Sequence, residues 1–233
     1  MKLEPDLIEH IASVVKTAKI VGIDGLKFEP DFIGGLAEDN TTFITRVEDI
    51  PDMPFDTMCI NRLSVFSSRF DIARLQDNFT MTVDITDAGY VRSVLMKGKG
   101  TKIDFRCANP KLVKPPKGFK SPLVTRVKLT GETVMLLQQA IASMGSDVVT
   151  IISNNGVSFE IVDVNNDVFK HDFEFEAEPL GDDDDTNFAY RFPAKKLLGL
   201  FKIDPTTTFD VSDTGRLSIK VNGFDVAILP IQV

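Results

Sequence analysis

Histidine and cysteine each occur only twice in 233 residues, and their placement removes whole classes of chemistry. His10 stands beside Glu9 in a helical stretch and His171 heads a strand-like run. Neither belongs to a metal-ligand spacing, and no cysteine joins them. Acid–base and nucleophilic catalysis most often recruit histidine, so neither is read as catalytic or metal-binding. Cys59 and Cys107 lie far apart with no C-x-x-C, and read as reduced, buried thiols of a cytosolic protein. Gly98-Lys99-Gly100 lacks the spacing and the following Ser or Thr of a Walker loop, and no G-x-G-x-x-G occurs. Asp182 to Asp185 are four adjacent acids without the alternating, glycine-interrupted spacing of a calcium loop. They read as a solvated loop. Nothing singles out a catalytic pair among the 34 acids. The expectation is a protein with no enzymatic activity, no cofactor and no metal.

Long apolar runs are missing too: no stretch approaches the ~20 residues of a membrane helix. The opening MKLEPDLIEH carries acids where a signal peptide places its apolar run, so neither membrane insertion nor export is expected. The N-x-T triplets at Asn40 and Asn78 are then incidental.

What is present is an uneven charge distribution. The net charge is −8, yet residues 91–128 hold eleven Lys and Arg against Asp104 alone, leaving −18 on the rest. Such asymmetry points to contact with an acidic polymer, or to contact between parts of the protein itself.

The order of predicted elements occurs twice. In the first half a strand at 1–3 precedes an amphipathic helix over 6–19, with Leu7, Ile8, Ile11, Val14, Val15 and Ala18 at helical spacing. Strands follow at 20–23, 26–29, 32–36 and 42–47, then a helix over 57–70 with Asp56 as its N-cap. The half closes with strands at 79–85, 90–96 and 101–107. Residues 109–120, NPKLVKPPKGFK, contain three prolines and a glycine and read as an exposed extended connector. The second half begins with a strand at 125–129 and a helix over 130–144 capped by Thr130. Strands at 148–153, 157–162, 172–178 and 188–192 lead to a short helix over 193–201. Strands at 207–212, 217–221 and 224–228 end the chain. The fold class is α+β: two similar modules of antiparallel sheets packed on helices, 1–108 and 123–233, joined by a connector over 109–122.

Two strands carry opposite charge. Along 101–107, Lys102, Asp104 and Arg106 alternate with Ile103, Phe105 and Cys107. Along 172–178, Asp172, Glu174, Glu176 and Glu178 alternate with Phe173, Phe175 and Ala177. One reading is that these charges solvate sheet faces or guard an edge against aggregation. The other is that the basic edge of one subunit pairs with the acidic edge of the next. That head-to-tail interface closes into a ring when the rotation permits, with charge setting partner and register.

Here the pattern becomes a resemblance. The stretch CANPKLVKPPKGFK, followed by SPLVTRVKLTGETVMLLQQAIASMGSDVVTIISNNGVSFEIV, resembles the connector and the second-domain strand, helix and hairpin of a DNA polymerase sliding clamp. The likeness is to the two-domain, trimeric clamps of large tailed phages, akin to clamps of the proliferating-cell-nuclear-antigen type. The ending FAYRFPAKKLLGLFKID, then TTFDVSDTGRLSIKVNGFDVAILPIQV, is similar to the family's last helix and strands, while FIGGLAEDNTTFI and INRLSVFSSRF fit in outline. The resemblance implies a closed homotrimeric ring of six modules, with the helices lining a hole that encircles duplex DNA. Such a clamp tethers the replicative polymerase and raises processivity without doing chemistry, in the cytoplasm of an infected bacterial host. Its implied partners are itself, double-stranded DNA, the polymerase and an ATP-driven clamp loader.

The DNA-facing candidates are Lys16 and Lys19 on the first helix, Arg62, Arg69 and Arg74 on and after the second, and Lys195, Lys196 and Lys202 on the fourth. The third helix offers Glu132, Gln138 and Gln139 but no Lys or Arg. The subunit-interface candidates are Lys102, Arg106, Asp172, Glu174, Glu176 and Glu178. Partner peptides of such clamps dock beneath the connector and beside the last strand, which the resemblance places at Leu36, Leu112, Val113, Leu229, Pro230 and Ile231. Two alternatives stay open: a non-catalytic phage structural or scaffold protein forming a different homo-oligomer, and an enzyme with an unrecognised carboxylate site.

Overall fold

In the computed structural model, residues 1–113, 121–154, 156–173, 177–180, 187–203 and 208–231 are described. The chain divides into two compact units, Met1–Lys117 and Gly118–Val233.

The first unit runs α1 (Pro5–Ile20), β1 (Gly25–Glu29), β2 (Phe32–Leu36), β3 (Thr42–Arg46), β4 (Met58–Ile60), α2 (Leu63–Arg74), β5 (Thr80–Ile85), β6 (Val91–Gly98) and β7 (Thr101–Arg106). One antiparallel sheet has the order β3-β2-β1-β4, and a second has β5-β6-β7. The helices lie side by side, and α2 packs on β6 and β7. α1 buries Leu7, Ile8, Ile11, Val14, Val15 and Ala18, the stripe its spacing predicts. From α2, Phe66 meets Phe105 of β7 edge to face, with ring centres 5.0 Å apart.

Three expectations fail in this unit. Residues 20–23 are not a strand but the stop of α1. Gly22 takes φ 79°, its N–H donates to Lys19 O, and the Ile23 N–H donates to Ala18 O at 2.9 Å. This is a Schellman closure, in which a left-handed glycine lets the chain satisfy the last carbonyls. Asp56 caps no helix, because Met58, Cys59 and Ile60 are all buried and pair with β1. The second helix therefore begins at Leu63, with Arg62 at its N-cap. Residues 1–3 make only an isolated bridge, Lys2 to Thr82, flanked by backbone hydrogen bonds to Met81 and Val83.

The second unit runs β8 (Leu123–Lys128), α3 (Gly131–Met144), β9 (Val148–Ser153), β10 (Val157–Val162), β11 (Val168–Asp172), β12 (Ala177–Pro179), β13 (Phe188–Pro193), α4 (Ala194–Ile203), β14 (Thr208–Ser212), β15 (Leu217–Val221) and β16 (Phe224–Ile228). Its sheets are antiparallel, with orders β12-β8-β14-β15-β16 and β11-β10-β9-β13. Helix α3 packs on β10 and α4 on β13. The Thr130 hydroxyl accepts from the Thr133 N–H, capping α3 as expected. With no tryptophan in the chain, phenylalanine fills this core: Phe159 contacts Phe173 and Phe209 at ring-centre distances of 5.0 and 5.9 Å.

The helix predicted from Pro193 begins at Ala194, since Pro193 still pairs with Val148 at the end of β13. The single acidic strand over 172–178 is also overturned. Asp172 ends β11, which pairs with β10, whereas Glu178 lies in β12, which pairs with β8 in the other sheet. One straight strand cannot serve two sheets. The start of β11 at Val168 lay outside the prediction because residues 168–172 combine an exposed valine, a lysine and an aspartate with little apolar alternation. Glu174 and Glu176 lie outside the described residues, as do Asp182 to Asp185 and residues 114–120 of the connector.

Candidate nucleic-acid interface and docking clefts

In the first unit, the basic residues of the helices divide by what they touch. Lys16 is exposed on the polar stripe of α1 that also holds Glu9 and Ser13. Lys19 is exposed too, with Nζ 3.4 Å from Ser67 Oγ on α2. Arg74, the last residue of α2, is committed elsewhere. Its Nη2 donates to both carboxylate oxygens of Glu9 at 2.6 and 2.7 Å, and its guanidinium lies 5.5 Å from the Phe70 ring centre. Arg62 and Arg69 share another environment, over Phe105 at 5.1 and 6.0 Å, and Arg62 Nη2 donates to the Arg106 carbonyl at 3.3 Å. Arg62 occupies the N-cap of α2, and Arg69 lies within the helix seven residues on. In the second unit, α4 presents Lys195 and Lys202 exposed and Lys196 half-exposed, while α3 presents no basic residue.

The interface candidates are only partly brought together. Lys102 and Arg106 are exposed on β7 together with Asp104. Asp172 pairs with Lys170 of its own strand at 2.9 Å, and Glu178 with Arg126 across β12 and β8 at 3.6 Å. The two described acids are therefore already balanced locally. β7 and β11 are nevertheless edge strands of their sheets.

Three docking candidates converge in the first unit. Leu36, Leu112 and Val113 line one cleft of about 490 Å³, with Asp24, Glu38 and Arg62 on its polar wall. Leu112 is 72 % exposed, whereas Val113 is buried with Cys59 and Ala108. The polar wall was not legible in the sequence, since it assembles from two loops and the start of α2. In the second unit, Pro230 and Ile231 line a separate cleft of about 330 Å³ with Ile152, Tyr190 and Arg191. The Ile231 N–H donates to the Arg191 carbonyl at 2.8 Å, which holds this segment against β13. Leu229 is half-buried and does not line that cleft.

Both histidines are half-buried. His10 is held toward its neutral form, first by burial and then by the nearby Arg46 cation. His171 stands edge-on to Phe173 at 5.1 Å. No group of three or more His, Cys, Asp or Glu placed to hold a metal occurs among the described residues. Among them, too, no helix is long and apolar enough to cross a membrane.

Paired helices on antiparallel sheets, twice over in one chain, define the architecture of DNA sliding clamps, and the chain has that fold. The proliferating cell nuclear antigen of Entamoeba histolytica matches it with a TM-score of 0.65 over 97 % of this chain and 96 % of that one, at 12 % identity. The counterpart from A. fulgidus, solved with the C-terminal region of FEN-1 bound, matches at 0.63 over the same shares and 14 % identity. The H. pylori β clamp, in complex with 5-chloroisatin, matches at 0.66 and 9 % identity over 97 % of this chain and 62 % of that one. No protein-family model and no curated protein matches this sequence. The likeness is one of fold.

Proposed function

We propose that this protein is a sliding clamp, a ring of head-to-tail copies that encircles duplex DNA and tethers a replicative polymerase. The observation that carries the reading is the clamp fold over 97 % of the chain, combined with exposed lysines on a helix of each unit in a protein of net charge −8. A clamp has to slide, so it needs diffuse phosphate contacts rather than base readout. Lys16, Lys19, Lys195, Lys196 and Lys202 suit that role, on a surface whose remaining acidity disfavours DNA elsewhere. The protein acts by topology and performs no chemistry.

Homotrimeric assembly, an ATP-driven loader and a bacteriophage origin with action in the host cytoplasm belong to the same proposal. A clamp of this fold takes the C-terminal region of FEN-1 in the A. fulgidus structure. By analogy, the cleft of Leu36, Leu112 and Val113 receives an apolar segment of the polymerase, and the cleft of Pro230 and Ile231 receives a flanking part of a partner.

The deciding experiment loads the protein onto circular and linear DNA with its polymerase and loader. Retention on circles, loss from free ends and longer extension products are expected. Equal retention on both templates would refute the ring.

A further inference from the structure

The lysines offered to DNA lie on helices, yet the densest positive charge in the sequence, over residues 91–128, lies off them. Part of it is neutralised within the fold. Arg126 binds Asp210 at 2.8 Å with Glu178 at 3.6 Å, and Arg92 lies 3.6 Å from Asp84. Lys97, Lys99 and Lys102 are exposed and form no ion pair with any described residue.

These three stand together. Lys97 of β6 and Lys102 of β7 are register partners, and Lys99 is in the turn that joins the strands. Strand alternation sets Val94, Met96 and Phe105 on the buried side of the sheet, where Phe66 of α2 meets Phe105. Lys97 and Lys102 therefore project from the opposite side, away from α2. Exposed Lys2 joins them there, because it bridges Thr82, the register partner of half-exposed Leu95. Asp104 lies beside Leu95 in the same row. Like charges directly opposite each other destabilise a strand pair, so Lys97 against Lys102 is a cost to the fold. The turn is also held in place. The Lys99 N–H donates to the Asp77 carbonyl at 3.0 Å, and a Cβ on Gly98 would collide with Gln76.

We infer that this face docks an acidic segment of a partner protein, in which carboxylates alternate with apolar side chains. The carboxylates meet Lys2, Lys97, Lys99 and Lys102, and an apolar side chain covers Leu95, an arrangement of apolar centre and charged rim that suits a protein contact. The protein carries a net charge of −8, so its acidity discourages such a segment elsewhere and steers it to this basic island. A duplex held by the helices does not account for these lysines, because they face away from α2. That exclusion alone rests on the clamp reading. The surface is also separate from both apolar clefts, neither of which any of the four lysines lines.

Fluorescence anisotropy of the full chain tests this, with a labelled peptide of alternating glutamate and leucine as the probe. The peptide should bind, and a peptide with lysine in place of glutamate should not. Lys97→Glu and Lys99→Glu should each weaken binding about threefold or more, and together about tenfold or more. The denaturation midpoint of Lys97→Glu should hold or rise, since a like-charged pair becomes an opposite one. Lys102 is left in place because it is also a candidate for the subunit edge, so sedimentation should be unchanged in both variants. Equal peptide affinity in the wild type and the double variant overturns the inference. So does a duplex oligonucleotide that loses more affinity than the peptide in these variants, which would give the face to phosphates. The peptide needs no ring, so its failure to bind overturns this inference and leaves the clamp reading standing. A chain that stays monomeric yet binds the peptide through Lys97 and Lys99 supports the inference and refutes the ring.

Discussion

The Arg74 guanidinium grips both carboxylate oxygens of Glu9, tying the end of α2 to the first half of α1. Both side chains are partly exposed, so the pair is worth at most about 1 kcal/mol. Arg74→Ala should therefore lower unfolding free energy in urea by no more than about 1 kcal/mol, with an effect that shrinks as salt is added. A loss several times larger would mean that the Phe70 stacking, not the ion pair, holds the helices together.

Gly35 pairs with Leu26 where the chain admits no side chain. A Cβ there would stand 2.6 Å from the Gly25 carbonyl oxygen, 2.7 Å from Ile23 and 2.8 Å from Leu26. The backbone oxygen cannot rotate away. Gly35→Ala should cost about 1–3 kcal/mol, the usual cost of overpacking, read as a shifted denaturation midpoint. An unshifted midpoint would show that β2 can slide off β1 without penalty.

These two cases indicate what the sequence could and could not disclose. Periodicity reveals α1 and α3 because each has one buried stripe, and it reveals the hairpin of β15 and β16 because Asn222-Gly223 supplies both left-handed turn residues. It misplaces residues 20–23 and 57–60 because apolar runs of three or four read alike in strands and helix ends. Backbone pairing separates them, through the local bond from Ile23 N–H to Ala18 O in one case and through the more distant β1 in the other. The lysines of α1 and α4 were legible as candidates from charge on a polar stripe. The partners of Arg74, Asp172 and Glu178 were not, since each depends on which element lies alongside.

If Lys16 and Lys195 touch DNA phosphates, their removal has a specific signature. Each alanine variant should lower the salt slope of duplex binding by about 1 for every copy whose lysine makes the contact, uniformly across sequences. Arg74→Ala should change it less, because Glu9 already neutralises that guanidinium. Slopes unchanged in both lysine variants would place the DNA elsewhere on the protein.

Leu112 offers a clean test of the docking cleft because it is 72 % exposed. Leu112→Ser should alter stability by less than about 0.5 kcal/mol, as for an ordinary surface position. Binding of a peptide from the polymerase terminus, followed by calorimetry, should nevertheless weaken about tenfold if Leu112 is one of the few residues that dominate the contact. Val113→Ser would confuse the issue, since Val113 is buried against Cys59 and Ala108. Unaltered affinity in the Leu112 variant would remove this cleft from the docking site.

The two thiols give a pH prediction whose sign follows from their surroundings. Burial pushes Cys59 up to about 11, although nearby Lys27 works against it. Burial pushes Cys107 up to about 12, helped by the neighbouring Cys59 and Asp104. In the unfolded chain both thiols ionise at about 8.5. Above that pH the unfolded state has lost protons that the folded state still holds, so stability should fall as pH rises from about 8.5 toward 11. Below it, the thiols contribute no pH dependence. Urea midpoints measured across this range should decline in the wild type and decline less steeply in a Cys59→Ala, Cys107→Ala variant. At pH 8 the folded protein should also resist alkylation by iodoacetamide, because the thiolate is the reactive form and is scarce in both residues. Rapid labelling at that pH, or equal slopes in the two proteins, would mean that the thiols are open to water.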